Sequence, residues 1–369
     1  MRPAFLITRH RRLVAGLATL AAAAVAVVGL LALLLVATGH DPARALHAFW
    51  TGSFGSAYAF ASATLVRATP LILAGLAIAL AFRAGVWNIG AEGQLLAGAA
   101  AAAAIGLGWG GKFGAIGLVP GLLAGALGGA FLAGVAGILR ARFAVLEIIS
   151  TIMLNFVALH GVGYLIRGPL QEPTGVYPQS ATLPVGSRLP TLIPGTRLHW
   201  GIVLAVLAAI AIWIVVRHTA VGFRIRAVGA NPTAAHSAGS IDVGRTTLWV
   251  FIASGALAGL AGAVEVYGVT YALYESLSPG YGYTAIAVAL LARLNPLAVL
   301  LTGTLLGALQ AGGAAMQRDA SVPSVLVSIV EAVLILAMVT GAGRSLVKRR
   351  LHGKTVAPTD DRATRAAVA

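Results

Sequence analysis

The segment 82–94 places polar side chains and glycines between two strongly apolar stretches. It reads FRAGVWNIGAEGQ, so Arg83, Asn88, Glu92 and Gln94 are interspersed with three glycines. A carboxamide both donates and accepts hydrogen bonds, which suits a ribose hydroxyl or a purine edge and equally suits a bond between helices. Inside a membrane, irregular polar backbone survives only where it lines a cavity or is buried in protein. The segment therefore predicts a helix break on the path of a polar solute.

Other polar side chains interrupt the apolar stretches further along the chain. An ionised acid near the centre of a bilayer costs at least about 2.5–3.5 kcal/mol, so each must face a partner or water. Glu265 and Glu331 fall well inside apolar stretches, where structural pairing and solute contact both remain open. Glu147 lies close to Arg140 and Arg142 and is interpreted as a structural ion pair. The candidates for the solute path are Asn88, Glu92, Gln94, Asn155, Glu265 and Glu331.

The composition identifies an integral membrane protein. Of 369 residues, 59% are hydrophobic and only 10% are charged, against about 25% in soluble domains. There is no cysteine, which excludes disulfides and thiolate chemistry, and the eight histidines are scattered. The glycine-rich run 106–112 lacks the Ser or Thr that a phosphate loop needs, because Phe113 follows Lys112, and it is interpreted as a turn. We predict no catalytic residue and no metal site.

The pattern predicts an all-α polytopic protein with about ten transmembrane helices, including a broken or short one, and both termini in the cytoplasm. A bilayer needs about 20 apolar residues per helix. The span at 283–293 is short and ends in Arg-Leu-Asn-Pro, which favours a half-helix. The predicted spans are 13–37, 65–82, 88–108, 114–139, 144–166, 200–216, 247–270, 283–293, 297–316 and 323–342.

The distribution of basic residues supports this orientation. The formal net charge is +15, and most of the 26 Lys and Arg fall in segments that the ten-span topology places inside. This positive-inside pattern argues against a nucleic-acid partner. The predicted regions are a basic cytoplasmic segment 1–12, a transmembrane domain 13–343 and a basic, disordered tail 344–369. A proline-rich outer loop spans 167–199, and a cytoplasmic loop spans 217–246.

The cytoplasmic loop is ordered by its sequence. Pro232 can open a short helix, and Gly239 can end it. Such a helix is suited to receiving a push from a motor protein. A basic loop held by anionic lipid would explain Arg224 and Arg226 but not the proline and glycine at the two ends of a short helix. Separately, Gly117, Gly121, Gly125 and Gly129 recur every four residues, which predicts close helix packing, within the subunit or at a dimer seam.

Four stretches together resemble the permease subunits of ATP-binding-cassette (ABC) importers of the branched-chain amino acid, ribose and nucleoside type. They are 82–94, 145–155, 226–235 and 282–296, in the order the family has them. The combination looks most similar to the larger permease of nucleoside, or simple sugar, importers. One departure is Leu146, where a polar residue, often His, is expected before Glu147.

The resemblance implies a non-catalytic subunit in the bacterial cytoplasmic membrane that moves a nucleoside or simple sugar inward. Its implied partners are a cytoplasmic ABC ATPase that holds ATP and magnesium, a second and non-identical permease, and an extracellular substrate-binding lipoprotein. The break at 88–94 then belongs to the translocation path, and 230–240 contacts the ATPase. Residues assigned to this coupling are Arg224, Arg226, Gly229, Asn231, Pro232 and Ala235. An ion-coupled secondary transporter using Glu265 and Glu331 remains the alternative.

Overall fold

The structure is a computed structural model that describes residues 29, 32–237, 241–329, 332, 333 and 336, without the side chains of 110–115. The chain divides into two compact units, 1–42 with 328–369 and the larger 43–327. In the first, 32–37 is helical. The larger unit contains every helix that contributes to the candidate functional site described below. Glu331, the segment 1–12 and the tail 344–369 lie outside the described residues.

The described part of the chain is built from helices, and it contains isolated β-bridges but no strand. Two short stretches, Phe60–Leu65 and Val266–Thr270, are π-helical. The helices are α1 Pro42–Ser53, α2 Ala57–Arg83, α3 Ala91–Phe113, α4 Leu118–Phe143, α5 Glu147–Arg167, α6 Gly201–His218, α7 Ala220–Ala230, α8 Pro232–Ser237, α9 Val243–Thr270, α10 Tyr281–Leu291 and α11 Pro296–Ala320.

Seven of these helices are long and apolar enough to cross a membrane, which confirms a polytopic membrane protein. The eighth apolar helix, α10, has only 11 residues, as the half-helix prediction requires. The predicted spans 13–37 and 323–342 fall partly outside the described residues, so the count of ten stays a prediction. The turn predicted at 106–112 is wrong, because α3 continues to Phe113. An apolar environment favours this result, since a helix satisfies its own backbone hydrogen bonds.

Helices α3, α4 and α9 pack at backbone distance through glycines. A Cβ atom on Gly98 would overlap the backbone of Gly259, and one on Gly129 would overlap Gly255 and Gly259. Gly125 packs against Ala263 in the same way. Small residues of this kind let membrane helices approach closely and gain van der Waals contact. Gly125 and Gly129 of the predicted stripe therefore pack within the subunit, whereas Gly117 precedes α4, and we call these contacts the glycine seam.

The helices run between two ends of the larger unit. At one, the basic end, α2, α4, α6 and α10 finish and α5, α9 and α11 begin. The arginines at this end are Arg83, Arg140, Arg142, Arg217, Arg224, Arg226, Arg245 and Arg293. Their segregation agrees with the charge pattern read from the sequence. Which end faces the cytoplasm stays a prediction.

The opposite end, the loop end, is covered by 168–200 and 271–280. Leu183 is buried, and its N–H donates to the Tyr271 carbonyl at 2.7 Å. The Leu189 N–H donates to the Tyr267 carbonyl at 2.9 Å. His199 is also buried there, and burial followed by the nearby charge of Arg197 lowers its pKa to about 4. The loop is thus a packed cover that keeps its histidine neutral near pH 7.

Candidate functional site at the interrupted helix

The predicted helix break is present between α2 and α3. Helix α2 ends at Arg83, α3 begins at Ala91, and 84–90 has no helical conformation. Gly85 has a φ of 72°, a left-handed conformation that glycine adopts without strain. Asn88 therefore lies in the irregular segment, whereas the sequence reading placed it on a span beginning at residue 88. The chain reverses here within a few residues.

The start of α3 lies deep in the protein rather than at either end. The Glu92 Oε2 accepts a hydrogen bond of 2.7 Å from the N–H of Gly282, in the first turn of α10. Helix α10 has 11 residues, a rise of about 16 Å, and it finishes at the basic end. Because a bilayer core is about 30 Å thick, we predict that Glu92 lies about halfway across it. The carboxylate thus joins the starts of two helices at mid-depth.

Asn88 and Gln94 hold the break together. The Asn88 Nδ2 donates to Gln94 Oε1 and to Ser254 Oγ, each at 2.9 Å, and Gln94 Nε2 donates back to Asn88 Oδ1 at 2.9 Å. Asn88 Oδ1 also accepts from the Gly90 N–H. Both side chains are buried. In this state the two amides bond to each other and to α9, so their hydrogen-bonding capacity is used within the protein.

Asn155 ties α5 to the same break and to α10. Its Oδ1 accepts from the Gly93 N–H at 2.8 Å, and its Nδ2 donates to the Ile89 carbonyl at 3.1 Å. The same Nδ2 lies 3.3 Å from the hydroxyl of Tyr283, to which it donates. The Tyr283 side chain is 48% exposed. The residues Asn88, Glu92, Gln94, Asn155, Ser254 and Tyr283 are called the break cluster below.

Two members of the break cluster were absent from the predicted site. Ser254 sits on α9, and its Oγ also donates to the Ala77 carbonyl at 2.8 Å. A serine inside an apolar helix gives no sequence signal that distinguishes this position. Tyr283 gave one, since an aromatic residue with a polar group stands in the first turn of a predicted half-helix.

Glu265 lies apart from the break cluster. It closes the regular part of α9 immediately before the π-helical stretch Val266–Thr270. Its side chain is buried, and its Oε2 has no hydrogen-bond partner in the described structure. Glu147, by contrast, forms the predicted ion pair with Arg140 at 2.7 Å, which confirms its structural role.

The predicted coupling residues lie in two consecutive helices at the basic end. The helix expected at Pro232 is present as α8, capped by Asn231 Oδ1, which accepts from the Ala234 N–H at 3.0 Å. Ala235 is buried against Val228. The preceding helix α7 was not predicted. Arg224 and Arg226 are exposed on α7, together with Val221 and Phe223.

Helix α7 touches the end of α2 directly. A Cβ atom on Gly229 would overlap the carbonyl of Arg83, and one on Gly85 would lie 3.5 Å from the Gly229 Cα. The Arg83 Nη2 donates to the Leu294 carbonyl, beyond α10, at 2.7 Å. The predicted coupling surface and the helix break are therefore in contact through the last residues of α2.

Comparison with known proteins places these features in a family. Residues 60–339 match the family described as "Branched-chain amino acid transport system / permease component". The match runs from α2 through α11 and includes the break, α7, α8 and α10.

Three relatives show how similar the chain is to proteins named as ABC transporter permeases. It is 39% identical to the guanosine ABC transporter permease protein NupP of Bacillus subtilis over 88% of this chain and 93% of that one. It is 40% identical to the glucose ABC transporter permease protein TsgB13 of Haloferax volcanii, over 83% and 82% of the two chains. It is 32% identical to the nucleoside ABC transporter permease protein NupB of Lactococcus lactis, over 82% and 85%.

Proposed function

The chain belongs to the branched-chain amino acid transport system permease family and is an ABC transporter permease, and from this premise we propose that it carries nucleosides into the cell. Two of the three relatives described above are named for guanosine or nucleosides, and together they cover most of the chain. Family membership also excludes the alternative hypothesis, an ion-coupled secondary transporter that uses Glu265 and Glu331.

The break cluster is the observation that carries the substrate proposal. Its amides and hydroxyls bond within the protein in the state described above, and once the helices shift they are neutral donors and acceptors that match the hydroxyls of a ribose and the edge of a nucleobase. Its exposed aromatic member, Tyr283, offers a flat apolar face at mid-depth. A neutral solute with a planar ring fits this set better than an ion does. In the proposed path, Asn155 and Glu92 line the site beside Tyr283. Asn88 and Gln94 hold the irregular segment 84–90 in position next to that site.

Transport is proposed to be driven from the basic end. A partner ATPase that binds ATP and magnesium would dock on α7 and α8, where Phe223 and Val221 present exposed apolar surface beside Arg224 and Arg226. Its closure would displace α7, and α7 is in contact with the end of α2. The helices around the break would then alternate between states that open toward opposite ends. The permease itself catalyses no reaction.

The remaining partners and the location complete the proposal. We infer that a second, non-identical permease completes the transmembrane path and that an extracellular lipoprotein delivers the solute. The segregated arginines support insertion with the basic end in the cytoplasm of a bacterial inner membrane. Ala235 and Asn231 would maintain the shape of the docking surface, since one is buried and the other caps α8.

The test is uptake of labelled guanosine, uridine and glucose by the parent strain and by a strain that lacks this gene. The deletion strain is complemented with the parent chain, with Arg226→Glu and with Arg142→Glu. Arg142 is a matched control, because it is exposed at the same end but lies on α4, outside α7 and α8. We expect guanosine and uridine uptake to be lost in the deletion, restored by the parent chain and by Arg142→Glu, and not restored by Arg226→Glu.

Other outcomes separate the substrate from the mechanism. Loss of glucose uptake alone would move the substrate to a hexose, as the relative named for glucose suggests. Full rescue of uptake by Arg226→Glu would show that α7 is not part of the docking surface. Unchanged uptake of all three solutes in the deletion strain, with no redundant importer, would overturn the nucleoside proposal.

A further inference from the structure

Arg83 occupies a junction where the coupling surface, the helix break and the short helix α10 meet. We propose that Arg83 is the positioning residue that transmits a displacement of α7 to α10 and, through α10, to the break cluster. The inference deepens the proposed function and rests on it where it takes α7 as the docking surface of the ATPase. The contact chain itself stands on the geometry below.

The first contact joins α2 to the turn after α10. The Arg83 Nη2 donates to the Leu294 carbonyl at 2.7 Å, a charge-assisted bond between residues 211 positions apart. Arg293 and Leu294 both have left-handed backbone conformations, with φ of 51° and 60°. Non-glycine residues rarely adopt this conformation in succession. The turn therefore depends on its contacts, among them the Leu294 N–H bond to the Ala289 carbonyl at 2.9 Å.

The second contact joins α2 to α7. Gly229 lies against the Arg83 carbonyl so closely that no side chain fits between them. Arg226, on the same helix, has no side-chain acceptor to offer the Arg83 guanidinium. The Leu294 carbonyl accepts from Arg83 and orients it. Because Gly229 and Arg83 are in contact, a movement of α7 toward α2 must displace the end of α2. The Arg83 guanidinium is then displaced with it.

The third contact lies at the other end of α10. The Gly282 N–H donates to Glu92 Oε2, and the backbone of Gly282 lies against Glu92 so closely that a Cβ atom would overlap it. Helix α10 is also tied to α11, because the Thr302 Oγ1 donates to the Val288 carbonyl at 2.9 Å. A helix of 11 residues is short enough to move as a unit. It is thus held by Arg83 at the basic end and by Glu92 at the break cluster.

The experiment compares Arg83→Met and Arg83→Lys with Arg140→Met in the full chain. Methionine keeps the apolar stem and removes every donor, whereas lysine can still donate to one carbonyl. Arg140 is the matched control, because it also makes a 2.7 Å bond at the basic end, with Glu147, away from α7 and α10. Two quantities are measured: amide hydrogen exchange of residues 281–295 in lipid nanodiscs, and guanosine transported per ATP hydrolysed by the complex in proteoliposomes.

For Arg83→Met, we expect exchange in 289–295 to rise by about tenfold, as the loss of a charged hydrogen bond predicts. Transport per ATP should fall by a similar factor while ATP hydrolysis persists. Arg83→Lys should restore most of both, and Arg140→Met should change neither. Gly229→Ala gives an independent check, because its methyl group would separate α7 from Arg83 and should also lower transport per ATP.

Several results would overturn the inference. If amide exchange in α10 is unchanged in Arg83→Met, Arg83 does not hold α10, whatever the transported solute is. Normal transport per ATP in Arg83→Met would show that α10 is driven by another contact. A parent complex that transports glucose but not guanosine would show that the proposed substrate is wrong. The role of Arg83 would then be tested by the glucose transported per ATP. A parent complex that hydrolyses no ATP would overturn the proposed function and the transmission step together.

Discussion

At the scale of single residues, Tyr283 differs from the rest of the break cluster. Asn88 and Asn155 are buried and bonded to backbone or to other side chains, whereas almost half of Tyr283 is exposed. Its hydroxyl accepts a hydrogen bond from Asn155, which favours one orientation of the ring. Tyrosines of membrane proteins concentrate at the two interfaces, yet this one is predicted to lie near mid-depth, in the first turn of α10. Its ring is the group in the cluster best placed to stack on a planar solute.

This placement predicts a substrate-dependent effect of Tyr283→Leu. Stacking of a base on an aromatic ring is worth about 1–3 kcal/mol, so KM for guanosine uptake should rise about tenfold. Tyr283→Phe keeps the ring and should stay within about threefold of the parent, since a neutral hydrogen bond contributes only modestly. Tyr164→Leu is the control, because that tyrosine is 72% exposed on α5, away from the cluster. Equal KM values for the Leu and Phe variants at 283 would exclude stacking.

The sequence predicted the polar character of the site better than its bonding. The break, the ion pair of Glu147 and the burial of Glu265 follow from the cost of polarity in lipid. The pairing of Asn88 with Gln94 does not, because it depends on how an irregular segment folds back onto α3. The contact of Asn155 with Tyr283 joins residues 128 positions apart. No local pattern encodes such a distance.

At the scale of helices, the glycine seam fixes how closely α3, α4 and α9 approach. Gly259 lies against Gly98 on one side and against Gly125 and Gly129 on the other. Without side chains at these positions, three backbones meet where ordinary membrane helices would be separated by methyl groups. Since α3 and α9 carry Glu92, Gln94 and Ser254 of the break cluster and pack against each other, the seam also sets the position of the site.

The seam predicts opposite outcomes for two glycines of α4. Gly129→Ala would force a methyl group into the backbone of Gly255, which should destabilise the fold by about 1–3 kcal/mol or more. In Gly134→Ala the nearest atom to the new Cβ is 3.7 Å away, and alanine favours a helix by about 1 kcal/mol over glycine. Thermal unfolding in detergent should show a lower Tm for the first variant and an equal or higher Tm for the second. A stable Gly129→Ala protein would mean that α4 and α9 can separate freely.

Helices were predictable where the apolar pattern is long or where proline or asparagine marks a helix end, and one short helix without such a mark was missed. The half-helix α10 and the helix opened by Pro232 follow from punctuation by proline and asparagine. Helix α7 was missed because its 11 residues mix arginines with small residues, and its helical form depends on packing of Ile225 and Val228. Helix α3 runs past the predicted turn for a similar reason, since Gly106 packs against Leu183 and Tyr267.

At the scale of the whole molecule, the separation of arginines predicts which end enters the cytoplasm. The chain contains no cysteine, so a single introduced thiol reports its own position. Thr174→Cys lies at the loop end and Thr233→Cys at the basic end, and both positions are exposed. An impermeant maleimide should label the first in intact cells and the second only after permeabilisation, because basic segments stay inside. The reverse pattern would invert the proposed direction of transport.

The central place of α9 has a consequence for how the protein is made. Helices α3 and α4 leave the ribosome more than a hundred residues before the part of α9 that fills the seam between them and carries Ser254. Until that segment is synthesised, their glycine-lined surfaces have only lipid or each other to contact, and the bond from Asn88 to α9 cannot form. Insertion of α3 and α4 into the bilayer therefore precedes their assembly with α9 by the time needed to translate more than a hundred of the 369 residues. We expect the nascent chain to be most exposed to membrane proteases during that interval.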